Sequence, residues 1–207
     1  MRLLIAIPTM ETIPVEFMRC LLQLQRRLLR DGVNFDIEIE SGTLIYRARD
    51  KLASKAITGG YDWMLCLDSD MVFTDEVLYD LQFCGKDFVT GIAHSRRKPF
   101  SSCVFTDIDL EHLRTYEGKY PTDTFEIAGC GFACVLLTTD IVKAVMLHYG
   151  TAFEPLKNYG EDLSFCKRAH DLGYKLYAEP SVRLGHIAHI PIFPDDAERY
   201  RDDYMEG

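Results

Sequence analysis

Apolar residues fall into two rhythms along this chain. Leu3 to Ile7 form an unbroken apolar run that stops at Pro8-Thr9, the profile of a strand covered on both faces in a parallel sheet. From Val15 to Arg30 the spacing lengthens: Phe17, Leu21, Leu24 and Leu28 recur at three- and four-residue intervals, and Asp31-Gly32 supplies the stop. That pattern predicts an amphipathic helix. Phe35, Ile37 and Ile39 then alternate with Asp36, Glu38 and Glu40, which predicts a half-exposed strand away from the sheet centre. Residues 47–58 read as a helix closed by Gly59-Gly60, and Trp63 to Leu67 as a buried strand ending on Asp68-Ser69-Asp70. Thr74 is expected to cap a short helix reaching about Phe83. Phe88 to Ile92, Phe132 to Leu137 and Lys175 to Ala178 predict further strands. Thr139 to Leu147 and Asp162 to Leu172 predict helices, the second stopped by Gly173.

Strands alternating with helices predict an α/β fold with a mainly parallel central sheet flanked by helices, and such sheets bind ligands beyond the carboxyl ends of their strands. Asp68 and Asp70 fall at such an end. A length of 207 residues suits one domain over 1–207. Residues 94–124 break the pattern: they are polar and rich in turn formers, so an irregular surface excursion, a candidate lid, is expected there.

Composition narrows the function classes. Hydrophobic residues at 47% and charged residues at 27% are ordinary globular usage. A net charge of -9 repels polyanions and argues against a generic nucleic-acid binder. Arg96-Arg97-Lys98 with Phe100 is the local exception, and a solvated basic loop is its simplest reading. Seven cysteines, an odd number with no Cys-x-x-Cys pair, argue against disulfides or a zinc ribbon and fit a reducing cytoplasm. The opening apolar run is too short for a signal-peptide core, and no membrane span is expected.

The candidate chemistry begins with Asp68 and Asp70. Two carboxylates at i and i+2 after a buried strand can face a hard cation together with a ribose or phosphate. A lone Asp-x-Asp arises by chance about every 300 positions, and helix capping plus solvation would explain one equally well, so its neighbours decide. Gly160-Glu161-Asp162 opens a helix, where the macrodipole favours carboxylates. Gly185-His186 follows the last strand and offers an imidazole, a donor suited to manganese beside carboxylate oxygens; His189 is a weaker candidate. Gly129-Cys130-Gly131 leaves its backbone open to close approach, or marks a bulge. Arg47 and Arg49 can fork onto phosphate, although a solvated helix face accounts for at least one of them.

In this order the motifs resemble the GT-A glycosyltransferases of the family 2-like group. The resemblance runs through Pro8-Thr9, Arg47-Ala48-Arg49-Asp50, Leu67-Asp68-Ser69-Asp70-Met71, Ala128-Gly129-Cys130-Gly131-Phe132, Gly160-Glu161-Asp162-Leu163 and Gly185-His186, and so covers nearly the full chain. It departs at Asp50, where such proteins often carry Asn. The resemblance implies a GT-A fold and transfer of a sugar from a nucleotide-diphosphate donor, expected to be UDP-linked, to a hydroxyl acceptor. It implies Mn²⁺ or Mg²⁺ held by Asp70 and His186 with Asp68 in its shell or on the ribose. Pro8, Thr9, Arg47, Arg49, Ser69, Gly129 and Gly131 would line the donor. Asp162 is nominated as the base of an inverting reaction, with Glu161 as its neighbour. A glycan, a protein, a small molecule or a hydroxylated base in phage DNA all fit as acceptor; for a viral chain the compartment would be the host cytoplasm. The rival readings are a nucleotidyltransferase on a similar sheet, which lacks the expected glycine-rich basic loop near the first strand, and a non-catalytic nucleotide-sugar-binding module.

Overall fold

A computed structural model describes residues 1–109 and 112–188; His189 lies outside the described residues. In chain order the elements are β1 (Arg2–Pro8), α1 (Val15–Arg30), β2 (Asn34–Glu40), α2 (Ile45–Thr58), β3 (Trp63–Leu67), β4 (Met71–Val72) and α3 (Val77–Phe83). There follow β5 (Phe88–Ile92), β6 (Val104–Asp107), β7 (Arg114–Thr115), β8 (Phe125–Ile127), β9 (Gly129–Cys130) and β10 (Cys134–Thr138). The last are α4 (Thr139–Tyr149), α5 (Glu161–Asp171), β11 (Leu176–Arg183) and β12 (Gly185–His186).

The unbroken apolar strands build the centre of a seven-stranded sheet in the order β2-β1-β3-β10-β5-β11-β8. Strands β2, β1, β3, β5 and β11 share one direction, whereas β10 and β8 run against them. The fold is therefore α/β with a mostly parallel sheet. The alternating segment β2 forms one margin, as its half-exposed pattern predicts.

Each central strand feeds a core on both faces. Leu4 and Ala6 of β1 join Val135 and Leu137 of β10 beneath α2, α4 and α5, where Leu52, Val142, Phe153 and Phe165 are buried. Leu3, Ile5 and Ile7 join Leu136 on the other face, against Phe17, Leu24 and Leu28 of α1 and Leu78 and Leu81 of α3. Fully burying such a side chain contributes about 1.5–3 kcal/mol, so these two layers fix the strand ends on which the candidate site stands. Cys66, Cys130, Cys134 and Cys166 behave as small core side chains within them.

Several local expectations need correction. Phe132 and Ala133 precede β10 and leave the strand shorter than predicted, while β11 runs on to Arg183. Thr74 does not cap α3 with its side chain; its carbonyl accepts the Val77 N–H, and the helix starts two residues later than its capping role would place it. Among its described residues the 94–124 excursion carries two short strands. Its β6 pairs with β7 and β9 in a three-stranded sheet, and His94 bridges Ser102. Val104 and Thr106 share one face of β6 yet differ in burial, so the strand carries no period-two signal to stand out among turn formers.

Candidate active site at the strand ends

The ends of β1 and β3 meet at one edge of the sheet. Thr9 is buried beyond β1, where its N–H donates to the Glu40 carbonyl at 2.9 Å and its hydroxyl donates to the Thr12 carbonyl at 3.1 Å. Ser69 Oγ donates to Thr9 Oγ1 at 3.2 Å, which ties the two strand ends together.

A tight reversal after β3 then delivers Asp70. The Asp68 N–H is held by the Ala133 carbonyl at 3.0 Å, and the Met71 N–H returns to the Asp68 carbonyl at 3.2 Å. The chain enters β4, which pairs antiparallel with β12 so that His186 lies opposite Met71. Ile187 N–H adds a bond to the Asp70 carbonyl at 2.9 Å. Gly185 suits this pairing because a Cβ there would come 3.2 Å from Val72 Cβ. The result is a side-chain meeting across 116 residues: His186 Nε2 stands 3.3 Å from Asp70 Oδ2. The other ring nitrogen, Nδ1, donates to the His94 carbonyl at 2.8 Å and so fixes the ring.

Burial lowers the His186 pKa, but the Asp70 carboxylate and the His94 carbonyl more than offset it, and the net direction is upward. Asp70 shows the mirror image. Burial pushes its carboxyl up, yet His186, Arg96 and its own backbone N–H pull it below the usual range. Arg96 Nη1 reaches the same Oδ2 atom at 2.8 Å.

Asp68 faces the opposite way. Its Oδ1 accepts from Arg49 Nη2 at 2.7 Å, and Arg49 Nε lies 3.7 Å from Glu161 Oε1. Arg49 is only 4% exposed. Its guanidinium lies over Phe132 and Phe153, with centroid distances of 5.4 and 5.9 Å, and its Nε and Nη1 atoms are buried without hydrogen-bond partners among the described residues. The buried cation is thus matched by carboxylates just after β3 and at the start of α5 together. Burial raises the Asp68 pKa against the pull of Arg49, and Asp70 and Glu161 add to the rise.

Asp162 sits in the first turn of α5, where its Oδ1 accepts the Leu163 N–H at 2.7 Å. Burial, then the neighbouring Glu161, pushes its carboxyl up to about 6, with Leu163 N–H and Arg49 pulling the other way. A carboxylate near this value can take a proton at neutral pH. Gly131 borders it: a Cβ there would stand 3.5 Å from Asp162 Oδ2, at ordinary contact. Gly129 has a different cause. A Cβ there would come 2.9 Å from Ile108 Cγ2 and 3.0 Å from Leu163 Cδ2, so packing of α5 against β9 explains it.

The structure therefore gathers Thr9, Ser69, Asp68, Arg49, Glu161, Asp162 and Gly131 along one edge, with Asp70 and His186 beside them. Arg47 is exposed and lies over Tyr46, 5.8 Å from the ring centroid, with no carboxylate contact among the described residues. Asp50 is structural. It accepts the N–H groups of Ala152 and Phe153 at 2.9 and 2.8 Å and the Thr151 hydroxyl, and so anchors the loop that leads to α5. Sequence reasoning missed Arg96 and His94. The run Arg96-Arg97-Lys98 was visible, but its sign suggested solvent or nucleic acid and gave no hint of Asp70.

The donor set admits a divalent ion in one sense only. Among the described residues no group of three or more His, Cys, Asp or Glu side chains gathers as a protein-only cage. Asp70 and His186 supply one oxygen and one nitrogen at a single place, and the carbonyl on Nδ1 is the outer partner that orients a ligating histidine. Mn²⁺ or Mg²⁺ bound by one or two protein groups and completed by water and phosphate oxygens fits that pair; a four-ligand structural zinc does not.

No family model matches the chain, and no curated protein matches it. Among solved structures, the crystal structure of A197 from STIV is similar over 90% of this chain and 86% of that one, with a TM-score of 0.63 and 20% identity. That likeness extends to the fold. Among the described residues no helix is long and apolar enough to cross a membrane.

Proposed function

We propose that this chain is a metal-dependent glycosyltransferase of GT-A type that moves a sugar from a nucleotide-diphosphate donor to a hydroxyl acceptor. The observation that carries the reading is the meeting of Asp70 and His186 across the β4–β12 pairing, beside the Arg49–Asp68 pair and the Asp162 carboxylate. A structural explanation of the Asp-x-Asp pair alone would ask for a cap on the next helix. Neither aspartate caps α3, whose N-cap is Glu76.

Asp70 and His186 would hold Mn²⁺ or Mg²⁺ with the donor diphosphate, and the ion when bound neutralises charge on the leaving phosphate. The chain's own groups do the rest. Thr9 and Ser69 offer hydroxyls at the ends of β1 and β3 for the nucleoside side of the donor. Asp68 keeps Oδ2 free of the Arg49 bond and can accept from a ribose hydroxyl. Arg49 lies between Asp68 and Glu161, so the donor edge and the base edge are linked through one buried cation. Asp162 takes the acceptor hydroxyl's proton as the acceptor oxygen bonds to the anomeric carbon and the bond from that carbon to the phosphate oxygen breaks. Attack from the side opposite the leaving group gives inversion.

The test is release of nucleoside diphosphate from a panel of nucleotide sugars with and without Mn²⁺. Release should require the cation and fall at least a hundredfold in Asp70→Ala and His186→Ala, with melting curves near wild type. Undiminished release in Asp70→Ala would remove the assignment. Pyrophosphate release from nucleoside triphosphates would instead identify a nucleotidyltransferase, and donor binding without any turnover a binding module.

A further inference from the structure

The hairpin that carries Arg96 is built to hold that residue over Asp70. Its base is set where β5 ends: His94 bridges Ser102, Ser95 N–H donates to the Ser101 carbonyl at 2.9 Å, and Tyr120 Oη donates to Ser102 Oγ at 2.7 Å. Its tip is closed by the Phe100 N–H on the Arg97 carbonyl at 2.8 Å and by Ser95 Oγ on the same carbonyl at 2.9 Å. The backbone of His94 at the foot of this hairpin also orients His186. One short segment thus controls both members of the Asp70–His186 pair.

Arg96 and His186 meet Asp70 at the same atom, Oδ2. A guanidinium does not deprotonate near neutrality, so a divalent cation bound to Asp70 and His186 competes with the guanidinium for Oδ2. Repulsion between the two positive charges adds to the conflict. Arg96 is 55% exposed, so its guanidinium faces solvent on one side, and once displaced it remains within reach of whatever anion accompanies the cation.

We propose that Arg96 is a diphosphate-binding residue that exchanges partners: it neutralises Asp70 in the empty enzyme and moves onto the donor's phosphate oxygens when the cation arrives. The exchange rests on the glycosyltransferase reading of the same site. Its consequence is coupled binding. The cation alone must displace Arg96 with no return, whereas cation and diphosphate together give the guanidinium a bidentate phosphate partner in place of the carboxylate. Each ligand therefore raises the affinity for the other.

The two halves of the exchange have opposite signs in one variant. Arg96→Ala should bind Mn²⁺ alone about two- to fivefold more tightly, because a partly exposed ion pair no longer competes. The same variant should bind UDP in saturating Mn²⁺ about tenfold more weakly, because a charge-assisted phosphate contact is gone. Both constants can be read by titration, Mn²⁺ by its electron paramagnetic resonance signal and UDP by calorimetry. Arg96→Lys should stay near wild type for Mn²⁺ alone and recover part of the UDP affinity. Arg97→Ala, which keeps the backbone carbonyl of the hairpin, serves as the control and should leave Mn²⁺ binding unchanged. Weaker binding of both ligands by Arg96→Ala, or no change in either, overturns the exchange while leaving the wild-type site intact. Failure of the wild type to bind Mn²⁺ with or without UDP overturns the exchange and the glycosyltransferase reading together.

Discussion

Replacing Asp162 by Asn should remove the chemistry and stabilise the protein. The folded state holds this carboxyl at about 6 against an ordinary 3.8, chiefly by burial and then by Glu161. A carboxyl whose pKa is raised on folding binds its proton more tightly in the folded chain, so its stability contribution is complete below about pH 4 and is lost as the pH rises through about 6. Carried in full to pH 7, that difference amounts to about 3 kcal/mol. Solvent at the mouth of the site reduces it, and about 2 kcal/mol is the working figure. Asn keeps the shape and its Oδ1 can still accept the Leu163 N–H, so little else changes. For a chain of this length the gain corresponds to a melting temperature about 4–8 °C higher at pH 7. Thermal unfolding of both proteins followed by circular dichroism at pH 7 and pH 4 reads the effect, and the gap should close at the lower pH. A variant less stable than wild type at pH 7, or a gap that does not depend on pH, would show that Asp162 is a satisfied helix-start carboxylate and no base held in reserve.

Four further outcomes follow from the same geometry. The wild-type kcat/KM for transfer should fall about tenfold per pH unit below about 6, as Asp162 takes up its proton, and a limb set near 4 would point to a base other than Asp162. Arg49→Met should cost about 3 kcal/mol in urea unfolding, since it strands Asp68 beside Glu161 and Asp162 without their shared cation; Asp68→Asn in the same chain should return part of that loss, and simple additivity of the two changes would deny the pairing. Gly129→Ala should destabilise by about 1–3 kcal/mol through its contacts with Ile108 and Leu163. Gly131→Ala should fold with stability within about 0.5 kcal/mol of wild type yet slow transfer by placing a methyl beside Asp162, and the reverse ranking would exchange the packing and site roles given to these glycines.

The parts of the site that were legible in the sequence are those whose signal is local. An apolar run ending on Asp68-Ser69-Asp70 announces both a buried strand and carboxylates at its carboxyl end, because the same few residues carry the pattern and the chemistry. The helix start at Gly160-Glu161-Asp162 is likewise written in adjacent positions, and α5 begins at Glu161. The direction of β10 is not local: Val135 to Leu137 would be apolar whichever way the strand ran, and only its neighbours β3 and β5 determine that it runs against them. The β4–β12 pairing that brings His186 to Asp70 is two residues long on each side, too short for any periodicity to show. Arg96 and Asp50 illustrate the deeper reason. Each reads by its type as a surface cation or a misplaced Asn, whereas each is placed by a partner far along the chain, Asp70 across 26 residues and the Thr151 hydroxyl with the 152–153 backbone across about 100. A charged side chain in a folded protein is defined by the opposite charge or hydrogen-bond donor that meets it. Sequence order can nominate the members of such a site, but only the closed fold decides which of them face one another, and that pairing is what brings four scattered carboxylates to one edge of the sheet.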